Sequence, residues 1–224
     1  MVNSIPSLLF NHYRLLVMSK SPELGRVKTR MQPFLTQEQS VQLHIALSQY
    51  VLSQWQEAAL CPIEIYVDGN IERYRELLLF ARRLNDLPLY PQVEGDLGIK
   101  MSAAVKRTLL GDTVKGIVLV GTDCPFIDKV YLLQALSSLN NNHDIVIGPA
   151  NDGGYVLLGM KQYYSELFTH ISWGGEQVLA ETLERIKALN VKYHILENLS
   201  DIDTMTDLKL LNQKYLPKKL RGFS

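Results

Sequence analysis

The stretch GIVLVGTDCP, residues 116–125, decides the fold class. It begins with an uninterrupted apolar run between two glycines, which is typical of a central parallel strand covered on both faces. An acid, Asp123, follows this predicted strand directly. In open α/β sheets ligands bind at the carboxyl ends of the strands, so a functional site is expected among the residues that follow each strand.

Segments with strand and helix patterns alternate on both sides of this stretch. Further strands are predicted at residues 13–18, 63–67, 144–148, 155–160 and 191–196. Helices are predicted at residues 36–59, 71–85, 98–110 and 174–189, after Asp128 and from Thr204 onward. This alternation predicts an α/β fold, a three-layer α/β/α sandwich with a mostly parallel sheet, in a single domain over residues 1–224.

The composition limits the possible functions. The 224 residues include 23 Lys and Arg and 23 Asp and Glu, so the net charge of zero argues against a nucleic-acid partner. With 46% apolar and 21% charged residues, the chain has the composition of a folded globular protein. No apolar run approaches the roughly 20 residues of a membrane span, and no signal peptide is recognisable. The two cysteines form neither a disulfide framework nor a zinc spacing, and a cytoplasmic protein is expected.

The loop after the first strand, KSPELGRVKTR at residues 20–30, is strongly basic. Its basic residues are Lys20, Arg26, Lys28 and Arg30, against one acid. Gly25 lets the backbone come close to a ligand, and lysine and arginine side chains donate well to phosphate oxygens. The loop has neither the Walker A spacing nor the G-x-G-x-x-G spacing. It predicts a phosphate-binding loop, and the alternative is a solvated basic surface.

Asp123 is a candidate metal ligand because it stands at the end of the central strand. A carboxylate there can hold a divalent cation against phosphates, although a turn or helix-capping role is the alternative. The neighbouring Cys124 has no histidine close in sequence to act as its base. Covalent catalysis by this thiol is therefore not expected.

Two later segments add acids at predicted strand ends. In PANDGGY, residues 149–155, Asp152 precedes two glycines, so this is either a close-approach turn at a site or a plain hairpin turn. Residues 197–207 contain four acids and no base. Capping of a helix at Thr204 accounts for Asp207 only, so at least one of Asp201 and Asp203 is free for another role.

The basic loop and the acidic segments together describe one kind of site. If the strands before them end at the same edge of the sheet, the loop at residues 20–30 and the acids of residues 197–207 face one cleft. Cationic side chains would then bind phosphates, and carboxylates would hold a metal that neutralises the remaining charge. This combination indicates a nucleoside di- or triphosphate as ligand.

Six motifs occur in order along the chain. They are KSPxxGRVKTR at residues 20–30, GDLGxxM at 95–101, GTDCP at 121–125, GPAxDGGY at 148–155, ISWG at 171–174 and DIDTxxDL at 201–208. Over about residues 13–212 the chain resembles a bacterial glycosyltransferase-like family formerly known only as a domain of unknown function. Some members of that family are named arsenosugar-biosynthesis glycosyltransferases. The resemblance implies a GT-A fold, the nucleotide-diphospho-sugar transferase fold, with similarity to the enzymes that guanylylate molybdopterin and phospholactate.

The resemblance also implies roles for individual residues. The four basic residues of the loop at 20–30 would line the donor phosphates. Asp123 and Asp203 would hold a divalent metal, Mg²⁺ or Mn²⁺, and Asp152 would be an acceptor-side residue or a catalytic base. Met205 replaces the proline that related sugar nucleotidyltransferases have in D-T-P-x-D-L, and the D-x-D of many glycosyltransferases is absent.

Three functions are compatible with these features. The first is transfer of a glycosyl group from a nucleotide sugar to a small acceptor. The alternative is nucleotidyl transfer, in which the phosphate of a small acceptor attacks the α-phosphate of a nucleoside triphosphate and pyrophosphate leaves. The third is a non-catalytic module that binds a nucleotide without turnover.

Overall fold

The computed structural model describes residues 8–32, 34–79 and 84–214. Its strands are β1 (Tyr13–Lys20), β2 (Ile63–Asp68), β3 (Leu89–Pro91), β4 (Gly116–Gly121), β5 (Ile145–Pro149), β6 (Tyr155–Met160) and β7 (Tyr193–Ile195). Its α-helices are α1 (Gln37–Ala58), α2 (Ile71–Leu79), α3 (Leu97–Leu109), α4 (Lys129–Asn140), α5 (Val178–Ala188) and α6 (Met205–Lys214). Short 3₁₀ helices cover Thr29–Met31 and Ser165–Leu167.

The strands form one sheet in the order β3-β2-β1-β4-β6-β5-β7. Every pairing is parallel except those of β6, which runs antiparallel to both β4 and β5. The first five residues of β4 are buried, as the apolar run at its centre predicts for a strand covered on both faces. The prediction of a mostly parallel α/β sheet is confirmed.

Helices cover both faces of the sheet and enclose two separate cores. Alternate residues of a strand point to opposite faces, so Val17 belongs to one core and Leu16 to the other. The first core packs against α1, α2 and α4, and the second packs against α3 and α5. This arrangement is the predicted three-layer sandwich.

Local signals fix several helix starts. Thr36 and Gln39 form the capping box that begins α1, and Asp128 accepts a hydrogen bond of 2.9 Å from the backbone N–H of Tyr131 at the start of α4. Helix α5 begins at Val178, four residues later than predicted, because residues 174–177 form turns in which Gly174 has a φ of 83°. The predicted helix at residues 71–85 includes residues 80–83, which lie outside the described residues.

The antiparallel strand β6 brings a turn to the edge where the parallel strands end. Strand β5 ends there at Pro149 and β6 starts there at Tyr155, so residues 150–154 lie beside the end of β4. The segment before α6 crosses the same edge, since Leu199 forms a β-bridge with Ala150 and the N–H of Ile202 donates to the Asp123 carbonyl at 2.9 Å. The loop after β1, the loop after β4, the turn between β5 and β6, and this crossing segment therefore meet at one edge of the sheet.

Among the helices in the described parts of the chain, none has the length and apolar character that a membrane crossing requires.

Candidate functional site

A cleft of about 630 Å³ opens at this edge of the sheet. Its lining comes from the loop at residues 20–30, the end of β4, the turn between β5 and β6, and the segment before α6. The predicted site residues that line it are Lys20, Arg26, Lys28, Arg30, Asp123, Asp152 and Asp203. Gly25 lies in the same basic loop but outside the lining, and it uses glycine's freedom to adopt a φ of 72°.

The basic loop is anchored to the protein. Val27 is buried, and Met31, directly after the loop, is buried in a cluster with side chains of α1 and with Ile202 of the segment before α6. Arg26 is half exposed and lies 3.4 Å from Glu23 and 3.7 Å from Asp68. A solvated surface loop would lack these apolar anchors. We infer that they hold the backbone of the loop at residues 20–30 in place at the cleft.

Lys28 forms an ion pair with Asp123. Its Nζ lies 2.5 Å from Asp123 Oδ1 and donates to the carbonyl of Ile202 at 2.6 Å. The lysine side chain is 3% exposed, whereas that of Asp123 is 49% exposed and faces the cleft. Desolvation acts to raise the pKa of Asp123, but the positive charges of Lys28 and nearby groups outweigh it and lower that pKa.

Arg30 and Asp203 form a second ion pair across the cleft. Arg30 Nη1 donates to Asp203 Oδ2 at 2.7 Å, and the arginine side chain is 62% exposed. The carboxylate of Asp207 accepts hydrogen bonds from the backbone N–H groups of Asp203 and Thr204, which confirms the predicted helix cap. The basic loop and the acidic segment therefore face one cleft, as their positions after the strands predict.

The remaining acids of the cleft lie close to these pairs. Burial, together with the negative charges of Asp152, Asp203 and Asp123, raises the pKa of Asp201 to about 6. Asp152 accepts a hydrogen bond of 2.9 Å from the N–H of Gly154 and is exposed on the side of the turn between β5 and β6. Asp201 also lines the cleft, although the sequence motifs assign it no definite role. Its lack of any capping duty was the signal for it.

His44 also lines the cleft, although the scattered histidines gave no functional signal in the sequence. It is 4% exposed, and its Nε2 lies 2.8 Å from the carbonyl of Lys20 at the end of β1. Because a carbonyl only accepts, this nitrogen carries the proton. Burial lowers the pKa of His44, which keeps the ring neutral. A stripe of polar residues on the buried face of α1, formed by Ser40, His44 and Ser48, is the pattern that could have revealed it.

An apolar wall forms part of the lining of the cleft. Leu97, Met101, Tyr155 and Trp173 contribute to it, and the rings of Tyr155 and Trp173 meet edge to face with centroids 6.5 Å apart. Gly98 allows this arrangement, since a Cβ there would lie 2.4 Å from Trp173 Nε1. The wall offers surface for an uncharged part of a ligand, whereas the charges are concentrated at the strand ends.

Cys124 is not available as a nucleophile. The residue is 3% exposed, its Sγ donates to the carbonyl of Ser200 at 3.4 Å, and burial raises its pKa to about 12. Burial raises the pKa of Cys61 to about 12 as well. These values agree with the expectation that no covalent chemistry passes through Cys124.

Neither thiol of the native protein is expected to react with iodoacetamide at pH 8. With pKa values raised from the usual range, about one thiol in ten thousand is ionised at that pH, and only the thiolate reacts. Mass spectrometry after an hour of labelling would show the unmodified mass, and labelling in 6 M urea would add two groups. Rapid modification of the folded protein at Cys124 would contradict the buried position.

No cage of protein ligands for a metal is preformed: within residues 8–32, 34–79 and 84–214, no three His, Cys, Asp or Glu side chains are grouped to hold an ion. Asp123 and Asp203 nevertheless offer carboxylate oxygens to the cleft from two different segments. Mg²⁺ is commonly held by one or two carboxylates, with substrate phosphates and water completing its shell. These residues therefore fit a metal that arrives with a phosphate ligand.

Comparison with known proteins agrees with this fold. The model of a family described as an uncharacterized protein conserved in bacteria (DUF2064) matches residues 51–175. The 2-phospho-L-lactate guanylyltransferase of Methanocaldococcus jannaschii is 28% identical over 196 residues, which cover 86% of this chain and 80% of that protein.

Solved structures share the architecture. A "putative nucleotide-diphospho-sugar transferase" from Desulfovibrio desulfuricans G20 superposes with a TM-score of 0.83 at 26% identity, over 94% of this chain and 90% of that one. Rv0371c of Mycobacterium tuberculosis H37Rv, crystallised as a complex with manganese, superposes with a TM-score of 0.57 at 16% identity, over 91% of this chain and 100% of that one. The predicted nucleotide-diphospho-sugar transferase fold is thereby confirmed.

Proposed function

The chain belongs to the DUF2064 family, and from that membership and the cleft we propose that it is an enzyme, a nucleotidyltransferase. It would transfer the nucleotidyl group of a nucleoside triphosphate to a small phosphorylated acceptor and release pyrophosphate. The observation that carries this proposal is the meeting of a basic loop and separate carboxylates in one cleft, with Lys28 beside Asp123 and Arg30 beside Asp203. The similarity to a guanylyltransferase over most of both chains supports nucleotidyl transfer over glycosyl transfer.

The phosphates are proposed to bind along the loop at residues 20–30. Lys20, Arg26, Lys28 and Arg30 would supply the positive charge, and Gly25 would keep the loop in its turn. A triphosphate that is attacked at its α-phosphate places two further phosphates in the leaving group. Four cations on one anchored loop suit a leaving group of that charge.

Asp123 and Asp203 are proposed to hold Mg²⁺ or Mn²⁺. The ion, when bound, would neutralise charge on the α-phosphate and on the leaving pyrophosphate. The protein's own contribution would be to present the two carboxylates to the cleft from two separate segments of the chain. The backbone contact of Ile202 with the Asp123 carbonyl fixes the distance between the segments that carry them.

Asp152 is proposed to contact the acceptor. The turn that carries it leads directly into Tyr155 of the apolar wall, and both residues line the cleft. An acceptor phosphate is already anionic and needs no base, so in nucleotidyl transfer Asp152 would orient the acceptor. An acceptor hydroxyl in glycosyl transfer would need a base, and Asp152 would then take that role.

Glycosyl transfer from a nucleotide sugar is the second candidate. It is supported by the likeness to the protein from Desulfovibrio desulfuricans, which shares 26% of its residues with this chain. The arsenosugar-type specificity that the motif resemblance suggests has no support among the similar proteins described above. The same phosphate and metal residues would serve either reaction, so the products must decide between them.

Pyrophosphate release tests the proposal. We expect the protein, supplied with Mn²⁺, one nucleoside triphosphate and a small phosphorylated acceptor such as 2-phospho-L-lactate or a hexose 1-phosphate, to release pyrophosphate with at least one combination. Nucleotide alone should raise the melting temperature, because a ligand at 100 times its Kd adds about 2.7 kcal/mol to the stability.

Other outcomes of the same assay separate the alternatives. Release of a nucleoside diphosphate from a nucleotide sugar would establish glycosyl transfer. Stabilisation by nucleotides with no turnover of any donor would identify a binding module. A melting temperature unchanged by every nucleotide would overturn all three functions.

A further inference from the structure

Two proposed phosphate-binding side chains are paired with the two proposed metal ligands. Lys28 lies on Asp123 at 2.5 Å, and Arg30 lies on Asp203 at 2.7 Å. In a bound complex the carboxylates would face the metal and the cations would face the phosphates. The partners in each pair must therefore change when the substrate binds.

The fold places Lys28 in its pair. Its backbone adopts a φ of 50°, a left-handed conformation that is uncommon for residues other than glycine. Its side chain is 3% exposed and also donates to the Ile202 carbonyl. These contacts make Lys28 the counter-ion of Asp123 before the substrate binds.

A metal and Lys28 compete for the same carboxylate. The Asp123 oxygen that Lys28 contacts, Oδ1, is enclosed, so a divalent ion from the cleft would meet the exposed part of the same carboxylate. It would then lie close to the ammonium group of Lys28, and the two cations would repel each other. The same competition applies to Arg30 and a metal on Asp203. A phosphate group likewise has to draw each cation away from its carboxylate.

We propose that Lys28 and Arg30 are exchangeable counter-ions of the metal site. They hold Asp123 and Asp203 before the substrate binds, and they turn to phosphate oxygens when the metal takes the carboxylates. No covalent bond changes in this exchange. The inference rests on the proposed function, because the metal and phosphate roles of these residues come from it.

The exchange links metal binding to nucleotide binding. If the metal binds alone, Lys28 and Arg30 lose their carboxylate partners and gain no phosphate. If the nucleotide binds alone, the two carboxylates lose their cations and gain no metal. When both bind together, every displaced group gains a new partner. Each ligand therefore strengthens the binding of the other, by the same factor in both directions.

Mn²⁺ binding to Lys28→Met tests the inference. Free Mn²⁺ is measured by electron paramagnetic resonance in titrations of the protein, first with Mn²⁺ alone and then with GTP present. We expect the variant to bind Mn²⁺ alone about three to ten times more tightly than the wild type, the effect of removing one competing ion pair. It should bind GTP with Mn²⁺ more weakly, because a phosphate ligand is lost.

These opposite changes distinguish counter-ion exchange from a structural role. If Lys28 only supports the shape of the cleft, its replacement should weaken the binding of both Mn²⁺ and GTP, and that result would overturn the inference. Arg30→Met gives a second measurement. Because this side chain is 62% exposed, its replacement should not affect the stability of the fold. This variant should bind Mn²⁺ alone about two to three times more tightly than the wild type. Weaker Mn²⁺ binding by Arg30→Met would also contradict the inference.

Arg26→Met is the matched control. Arg26 belongs to the same loop and carries the same charge, but its partners are Glu23 and Asp68 and neither is a proposed metal ligand. Its removal should weaken GTP binding and leave the affinity for Mn²⁺ alone unchanged. A gain in Mn²⁺ affinity equal to that of Lys28→Met would show a general charge effect and would overturn the specific pairing.

The wild-type titration separates this inference from the proposed function. If the wild type binds none of the four nucleotides GTP, CTP, ATP and UTP in the presence of Mn²⁺, the proposed function fails. If it binds one of them and Lys28→Met gains no affinity for Mn²⁺, only the counter-ion exchange fails.

Discussion

Replacing Asp123 by Asn is expected to abolish most of the proposed nucleotidyl transfer and to destabilise the fold. The carboxylate is the proposed metal ligand at the end of β4, and the loss of one such electrostatic group costs about a hundredfold to a thousandfold in turnover. The change also leaves the buried Lys28 ammonium without its counter-ion. Because half of the Asp123 side chain is exposed, we expect about 2 kcal/mol of lost stability, less than for a fully buried pair.

A double variant separates these two effects. Asp123→Asn combined with Lys28→Met removes both charges, so much of the stability should return while turnover stays low. Thermal unfolding measures the first quantity, and pyrophosphate release at saturating Mn²⁺ measures the second. Turnover by Asp123→Asn within threefold of the wild type would exclude Asp123 as a metal ligand.

Gly153→Ala is expected to have the largest effect on stability. Gly153 has a φ of 90°, and a Cβ at this position would lie only 2.2 Å from the carbonyl oxygen of Glu176. The clash is with backbone, so no side-chain rotation relieves it and the turn that carries Asp152 must move. We expect a loss of about 3 kcal/mol, from overpacking added to the strain of a left-handed alanine, measured by urea unfolding.

Gly174→Ala is the matched control for this clash. Gly174 has a φ of 83°, but a Cβ there meets nothing within 4 Å. It should show only the conformational strain of about 1 kcal/mol. If both variants lose the same amount of stability, the close approach of Glu176 to Gly153 does not add to the cost of the Gly153→Ala substitution.

Those parts of the fold that depend on local signals could be predicted from the sequence. The apolar run of β4 predicts a buried central strand, and Thr36 with Gln39 predicts the start of α1 from neighbouring residues alone. The short strand β3 was not predicted, because three residues carry too little pattern. The late start of α5 was missed for a similar reason, since Gly174 interrupts an otherwise helical sequence.

The general location of the site could also be predicted, because parallel strands end at one edge of a sheet. That rule brings the loop at residues 20–30 to Asp123 and Asp203. It does not reveal which charges pair, since that depends on the left-handed backbone of Lys28. Nor does it reveal His44, whose role depends on the carbonyl of Lys20, a group that every residue possesses.

The ion pairs of the cleft join distant parts of the chain. Lys28 and the carbonyl of Ile202 are 174 positions apart, and Arg30 and Asp203 are 173 apart. Contacts of such long range form slowly in folding, because the loop between them must first be ordered. During synthesis the first half of the sheet would emerge long before residues 199–203, which complete the cleft. The growing chain would therefore complete the proposed nucleotide-binding cleft only after residues 199–203 have emerged and can contact the loop at residues 20–30.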